Sequence, residues 1–485
     1  MINWKIIFRI LGQLLSIEAL LMLLCLVMSL CYGEDDAAAF ITSVNITLAG
    51  SVVLLYFSRG SSNSMSRRDS FLVVSLVWVV FSLFGSLPFL ISGYLPRLAD
   101  AYFETMSGFS TTGATLIDDV ERLPHALLFW RSMTQWIGGL GIVFFTIAIL
   151  PSLGAGTVKV FSAEATGPMR TRMHPRLSTT GRWIWGIYLT LTVVCALCFY
   201  VEGMSGFDCA NYAMTVTATG GFATHNASTG YFHSVAIDYT AILFMFLCGT
   251  SFTLLYMAIF KRRLRDLFRN SEFRLYVTLI VLFTVFIMFF LMRGNHYRVG
   301  EAVRSSLFQV VSFITTTGVF NDDAGRWPHI TWVVLSLCMF IGGCSGSTSG
   351  GFKCVRGVML FQVVRNEFRR LLHPSATLPV RVNGNTVPYA SQVTLLAFLA
   401  SYIILCFFTY FVMILQGVDS TNAITIALSC ASNVGPTLGL EIGPTMSWNV
   451  LPEDVKWLLS LLMLMGRLEI LTVVALFTSA FWRDR

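Results

Sequence analysis

Four short stretches carry residue types that could bind an ion: Phe109-Ser-Thr-Thr-Gly-Ala-Thr115, Thr217-Ala-Thr-Gly-Gly-Phe222, Thr315-Thr-Thr-Gly-Val319 and Asn433-Val-Gly-Pro436. All four are rich in hydroxyls, glycine and bare backbone, and nearly free of charge. A ring of backbone carbonyls, supplemented by threonine hydroxyls, can replace the hydration shell of a monovalent cation. Glycine permits the conformations that turn carbonyls inward and lets four chains approach one another. A helix ending at each stretch would offer a cation the negative end of its dipole. Any one of these clusters alone reads more readily as a turn between helices. Four in the same register read as four quarters of one site. Its candidate residues are Thr111, Thr112 and Gly113; Thr219, Gly220 and Gly221; Thr316, Thr317 and Gly318; and Asn433, Val434 and Gly435.

The elements that must position them form a repeat. Glycines 113, 221, 318 and 435 are spaced by 108, 97 and 117 residues, as in a repeated unit. Each follows an apolar segment too short to cross a bilayer, near Leu98 to Met106, Gly206 to Val216, Gly300 to Phe313 and Asp419 to Ala431. These read as re-entrant helices, because irregular backbone is tolerated at membrane depth only where protein buries it or where it lines a water-filled path. Around them ten spanning segments can be drawn: 6 to 32, 38 to 58, 70 to 93, 126 to 150, 183 to 201, 235 to 260, 273 to 292, 331 to 361, 391 to 415 and 455 to 482. The expected fold is an all-α integral membrane protein of about ten transmembrane helices. Two extra N-terminal helices (1–69) precede four pseudo-symmetric units, at 70–182, 183–272, 273–390 and 391–485, around one pore.

Composition supports a membrane protein. The chain of 485 residues is 55% hydrophobic and only 12% charged, which is too apolar to bury within soluble domains. The first apolar run is too long for the core of a cleaved signal peptide. A net charge of +7 could suggest nucleic acid, but the basic residues lie between spans rather than on one soluble face. Arg59, Arg67 and Arg68; Lys159, Arg170, Arg172, Arg176 and Arg182; Lys261 to Arg274; and Lys353 to Arg381 mark loops expected to be cytoplasmic, with both termini. The opposite loops hold Glu34, Asp35, Asp36, Asp118, Asp119, Glu121, Glu202, Asp322, Asp323, Glu453 and Asp454, and should be external. Eleven cysteines, including Cys195 and Cys198, read as small apolar fillers, and the seven histidines show no ligand spacing. No nucleophile with a base suggests an enzyme, and no cofactor is expected in this chain. No phosphate loop or nucleotide fingerprint appears, so nucleotide control would need another chain. The basic loops could dock such a partner or contact anionic lipid.

Two further features fall outside the four stretches. The eighth segment is interrupted by Gly342-Gly-Cys-Ser-Gly-Ser-Thr-Ser-Gly-Gly351, too glycine-rich to continue as an ordinary helix. Gly343, Gly346, Ser347, Gly350 and Gly351 would then form a flexible loop beneath the site, or else a close helix contact through small residues. Arg467 lies well inside the last segment, where an arginine normally faces a cavity or partner. It could oppose cation flow, or bond to carbonyls of the broken eighth segment. Glu469, two positions on, would not share its helix face. Arg131 and Gln135 could brace the first loop or anchor at the interface, and Glu18 has no assigned role.

Thr111-Thr-Gly-Ala-Thr115, Gly220-Gly-Phe-Ala-Thr-His225, Ile341-Gly-Gly-Cys-Ser-Gly-Ser-Thr348 with Gly350-Gly351, and Gly466-Arg-Leu-Glu469 together resemble the TrkH/TrkG potassium-uptake subunits of the Trk/Ktr/HKT superfamily. That resemblance implies potassium uptake across a bacterial inner membrane, with potassium held by the four filter glycines. Glycine rather than serine at 113 implies a potassium filter. It further implies a pore-blocking intramembrane loop in the third unit, a homodimer, and a cytosolic TrkA-type regulator that binds NAD(H) and ATP-type nucleotides. Passive flow and proton- or sodium-coupled symport both remain open. No unit has a TVGYG-type filter, and the residue before the glycine is Thr112, Gly220, Thr317 or Val434. Looser discrimination among potassium, rubidium and sodium is therefore expected.

Overall fold

The computed structural model describes residues 2–61, 65–141, 177–439 and 441–483. The end of the predicted fourth span and the basic residues Lys159, Arg170, Arg172 and Arg176 lie outside them. Apart from a hairpin of two-residue strands, Arg381–Val382 and Asn385–Thr386, the regular elements described are helices. Among the described residues, six helices are long and apolar enough to cross a membrane unaided: Trp4–Tyr32, Ala37–Phe57, Arg68–Ile91, Gly181–Val201, Ser271–Gly294 and Tyr389–Leu415. Their outward faces are apolar; the last exposes Ile404, Phe407 and Phe411. Such surface belongs in lipid rather than water.

Four short helices sit between the long ones: Leu98–Phe109, Gly206–Ala218, Val299–Ile314 and Ser420–Ser432, of 12, 13, 16 and 13 residues. At about 1.5 Å per residue each is roughly 18 to 24 Å long, short of the ~30 Å hydrocarbon layer. Each is therefore too short to cross it. Acidic residues in the first turn, Asp100, Asp208 and Glu301, complement the positive ends of the first three. The chain then returns through His125–Gly139, Val235–Cys248, His329–Ile341 and Glu453–Leu468. The N-terminal pair packs outside these units, where Ser51 Oγ donates to the Gly12 carbonyl at 2.7 Å.

Among the described residues three of the returning spans are broken, whereas only the eighth segment was expected to be. His329–Ile341 and Cys354–Leu372 flank the expected break. The sixth segment bends by 101° between Val235–Cys248 and Phe252–Ile259, and the tenth by 118° between Glu453–Leu468 and Ile470–Leu476. The first bend persists because its terminal carbonyls find partners elsewhere. Gly249 O accepts from Cys344 N at 2.9 Å, and Cys248 O from Thr348 N at 3.3 Å. The second bend turns on Glu469, whose φ of 68° is left-handed and costly for a residue with a side chain. Its carboxylate pairs with Arg356, which anchors the turn.

A buried ion pair joins the first short helix to the last returning one: Lys456 Nζ donates to Asp100 Oδ1 at 2.8 Å, and both side chains are sealed from solvent. Removing one partner of a buried pair costs about 3–5 kcal/mol; here the more exposed Arg97, 3.4 Å from Asp100, would offset part of the loss of Lys456. Lys456→Met is accordingly expected to lower the melting temperature of the detergent-solubilised protein. The double change Lys456→Met with Asp100→Asn should recover most of the loss.

Candidate functional site

The four stretches leave their helices by the same turn. In each, the residue before the glycine donates its N–H to the carbonyl six residues before that glycine. Thr112 bonds Ser107 at 2.9 Å, Gly220 bonds Thr215 at 2.9 Å, Thr317 bonds Ser312 at 2.8 Å and Val434 bonds Ser429 at 3.0 Å. This closure needs a left-handed residue one position earlier. Thr111, Thr219, Thr316 and Asn433 supply it, with φ of 54°, 53°, 55° and 56°. Asparagine tolerates that conformation, but β-branched threonine is strained in it by about 1–3 kcal/mol. The surrounding packing has to hold the three threonines there.

The glycines follow with φ of 81°, 89°, 80° and 98° at 113, 221, 318 and 435. A Cβ on Gly113 would overlap the Gly220 carbonyl oxygen; on Gly221, that of Thr317; on Gly318, that of Val434; and on Gly435, that of Thr112. The sequence of contacts runs from the first stretch to the second, third and fourth and back to the first. It is a closed ring, backbone against backbone. All four glycines line one cavity of about 80 Å³, with Asp118, His225, Asn226 and Trp448 further out. The ring itself bears no ionised side chain, and the C-terminal ends of four short helices meet there. Its chemistry is that of neutral oxygens in a negative helix-end potential, suited to a desolvated monovalent cation.

Several hydroxyls expected to face an ion instead stitch the ring together. Thr112 Oγ1 accepts from Asn433 Nδ2 at 3.0 Å and bonds Ser110 Oγ at 2.7 Å. Thr317 Oγ1 bonds Thr315 Oγ1 at 2.7 Å, and Thr219 Oγ1 donates to Ala218 O at 2.7 Å. Thr316 Oγ1 accepts from the N–H of Gly350 in the broken eighth span at 2.7 Å. The backbone carbonyls are therefore the principal ligand candidates.

Arg131 and Gln135 are fully buried braces and not interfacial anchors. Gln135 Nε2 donates to Gly220 O at 2.7 Å, while its Oε1 accepts from Phe222 N at 3.0 Å. Arg131 Nε donates to Glu104 Oε1 at 3.0 Å, and its guanidinium lies over the Phe222 ring. Glu104 also accepts from Leu116 N at 2.9 Å, so this pair joins the first two stretches. Sequence reasoning missed Glu104, although an acid nine residues before Gly113, deep in a short and mostly apolar segment, was a readable signal. It also missed the hydroxyl residue six before every glycine, Ser107, Thr215, Ser312 and Ser429. At the mouth, Asn226 joins the loops that follow the same two stretches by donating to Asp119 at 2.8 Å. That bond holds the Asp119 carboxyl below its ordinary value, so it stays ionised.

The break from Gly342 to Lys353 folds against this ring. A Cβ on Gly350 would overlap the Ser432 carbonyl, and one on Gly343 would lie 2.9 Å from Gly249 O. Gly346 and Gly351 both have φ of 75°, and Ser347 Oγ donates to Cys344 O at 2.6 Å. Arg467 bridges the loop to the end of His125–Gly139. It donates to Thr348 O at 2.9 Å and to the Gly138 and Gly139 carbonyls at 2.5 and 2.6 Å. All the residues singled out in the break, with Arg467, thus lie in one assembly with the ring.

Comparison with known proteins matches residues 36–484 to the family TrkH, described as a cation transport protein. Fold, site and match together define a polytopic membrane protein that transports cations. The chain is 37% identical to the Trk system potassium uptake protein TrkH of Halomonas elongata and 36% identical to that of Escherichia coli, over 99% of this chain and 99% and 100% of those. The crystal structure of the potassium transporter TrkH from Vibrio parahaemolyticus superposes with a TM-score of 0.89 at 34% identity, covering 99% of this chain and 100% of that one. The chain belongs to the TrkH family.

Gln135→Leu keeps the side-chain bulk but strips the Phe222 N–H of its acceptor. A buried donor left unpaired costs about 1–3 kcal/mol. A fall in the melting temperature of the solubilised protein should report it.

Proposed function

We propose that this chain takes up potassium across a bacterial inner membrane through a channel-like pore, with the four-stretch ring as its filter. The observation that carries this reading is the closed cycle in which each glycine abuts the carbonyl of the next stretch. It supplies only neutral oxygens at closest approach, which favours a monovalent cation over an anion or an organic solute. The relatives named potassium uptake proteins match over their full length, which supports potassium as the ion. The excess of Lys and Arg on one set of loops supports an orientation with that side, and both termini, in the cytoplasm.

Gly342 to Lys353 is the gate in this reading, because it packs under the third and fourth stretches through Thr316 and Ser432. Arg467 holds the loop by its carbonyl and adds a fixed positive charge beside it. The four units 70–182, 183–272, 273–390 and 391–485 each supply one wall. Regulation falls to a cytosolic nucleotide-binding partner of the TrkA type, with the pore chain as a homodimer. The basic loops and the "Trk system" in the relatives' names support that assignment.

Reconstitution into liposomes tests the reading. Rubidium influx should follow an imposed voltage and exceed sodium influx. Influx that appears only with a proton or sodium gradient would favour the coupled alternative, and folded protein without cation flux would overturn the proposal. Arg467→Gln should raise resting rubidium flux several-fold while leaving the rubidium-to-sodium ratio unchanged. Unaltered flux would remove Arg467 from the gate.

A further inference from the structure

Glu272 stands in the first turn of Ser271–Gly294, 6% exposed and remote in sequence from the broken span. Its Oε1 accepts two backbone N–H groups, from Ser345 at 2.5 Å and from Val355 at 3.1 Å. Ser345 lies before the apex of the intramembrane loop, and Val355 is the second residue of the helix that follows it. One oxygen therefore grips both ends of the segment from Gly346 to Lys353. The apex is held separately, by Thr348 on Cys248 O and Thr217 O and by Gly350 on Thr316.

The bond to Val355 also does a job that the loop leaves undone. Helix Cys354–Leu372 begins at Lys353 with no side-chain cap of its own. The Gly343 carbonyl of the loop takes the Cys354 N–H at 3.0 Å, which leaves the Val355 N–H in need of an acceptor, and the positive end of the helix dipole favours a carboxyl group. Glu272 supplies both from a neighbouring helix.

The adjacent residue ties this clamp to the basic end of the molecule. Ser271 donates through N and Oγ to Asn383 Oδ1, at 2.8 and 2.9 Å. Asn383 is the left-handed turn residue of the exposed hairpin Arg381–Thr386, with φ of 51°. The same hairpin bonds the helix after the loop, where Arg381 N donates to Gln362 Oε1 at 2.9 Å. A displacement of the hairpin would thus be felt on both sides of the Glu272 clamp.

We propose that Glu272 is a positioning residue that holds the intramembrane loop closed, and that the hairpin Arg381–Thr386, through Asn383 and Ser271, is the handle by which the clamp is released. The inference rests on the gate reading above. Glu272 touches no ion: it acts through the loop backbone. Its removal changes how often the pore is open, and leaves the choice of ion alone.

The test uses the full chain in liposomes, with no regulator added and rubidium and sodium flux measured in parallel. Glu272→Ala should raise resting rubidium flux by about tenfold, the shift expected for losing its two backbone hydrogen bonds. Glu272→Gln keeps a carbonyl acceptor and should give a smaller rise, and it covers the case in which the alanine variant fails to fold. Asn383→Ala should raise flux in the same direction. The Glu272→Ala, Asn383→Ala pair should be no leakier than Glu272→Ala alone, as for two parts of one clamp. All variants should keep the rubidium-to-sodium ratio. Wild-type flux in folded Glu272 variants while Arg467→Gln is leaky would overturn this proposal and leave the gate standing. Wild-type flux in all of them would overturn both. A rise accompanied by lost selectivity, or a fully additive double variant, would likewise overturn the clamp.

Discussion

The structure depends on a steric condition: four backbones must come within contact distance at the centre of a membrane protein, with no Cβ between them. That condition fixes glycine at 113, 221, 318 and 435, where the carbonyl of the next stretch occupies the space a side chain would need. It also fixes the short helices, since a chain that turns back at mid-depth must end its helix there. The ends of those helices cannot be hydrated by bulk water, so each is closed by the same backbone bond, to Ser107, Thr215, Ser312 or Ser429. The strained threonines before the glycines persist because neighbours pack against them from every side.

Below the ring the same need for backbone partners produces a second assembly. Three spans are interrupted, and two of the interruptions satisfy each other: carbonyls at Cys248 and Gly249 take the N–H groups of Thr348 and Cys344. Arg467 then collects carbonyls from the loop and from the end of His125–Gly139. A guanidinium suits this place because it offers five donors in a fixed fork and no acceptor. Straightening one span would orphan groups on another, so the loop and the sixth-span bend are expected to move together.

Much of this was readable in the residues. The spacing of the glycines and the shortness of the segments before them depend on local pattern, and the four short helices fall within a few residues of where that pattern put them. The interruption after Ile341 was readable for the same reason, being crowded with glycine. The bends at Gly249 and Glu469 were not readable, because they are set by partners more than ninety residues away in one case and by an ion pair with Arg356 in the other. Gly249-Thr-Ser251 and Gly466-Arg-Leu-Glu469 interrupt the apolar runs there, but a few polar residues within a span do not by themselves say that it bends. Gln135 shows the same limit: its bonds to Gly220 and Phe222 depend on the apposition of two units, which no single stretch encodes. The use of threonine hydroxyls within the ring was hidden because hydroxyl content does not say whether the partner is an ion or a neighbouring chain.

Because all four walls belong to one polypeptide, the ring is free of a restriction that binds any pore assembled from identical subunits. There, one codon changes every wall at once. Here, Asn433 can reach across to Thr112 at a single corner while the equivalent corners carry threonine, and Gln135 can brace one stretch alone. Inheritance can therefore alter the four walls one at a time, each in a small step that leaves three unchanged. With the ring as the proposed filter, ion preference is open to gradual selection in a way that a strictly symmetric tetramer's is not.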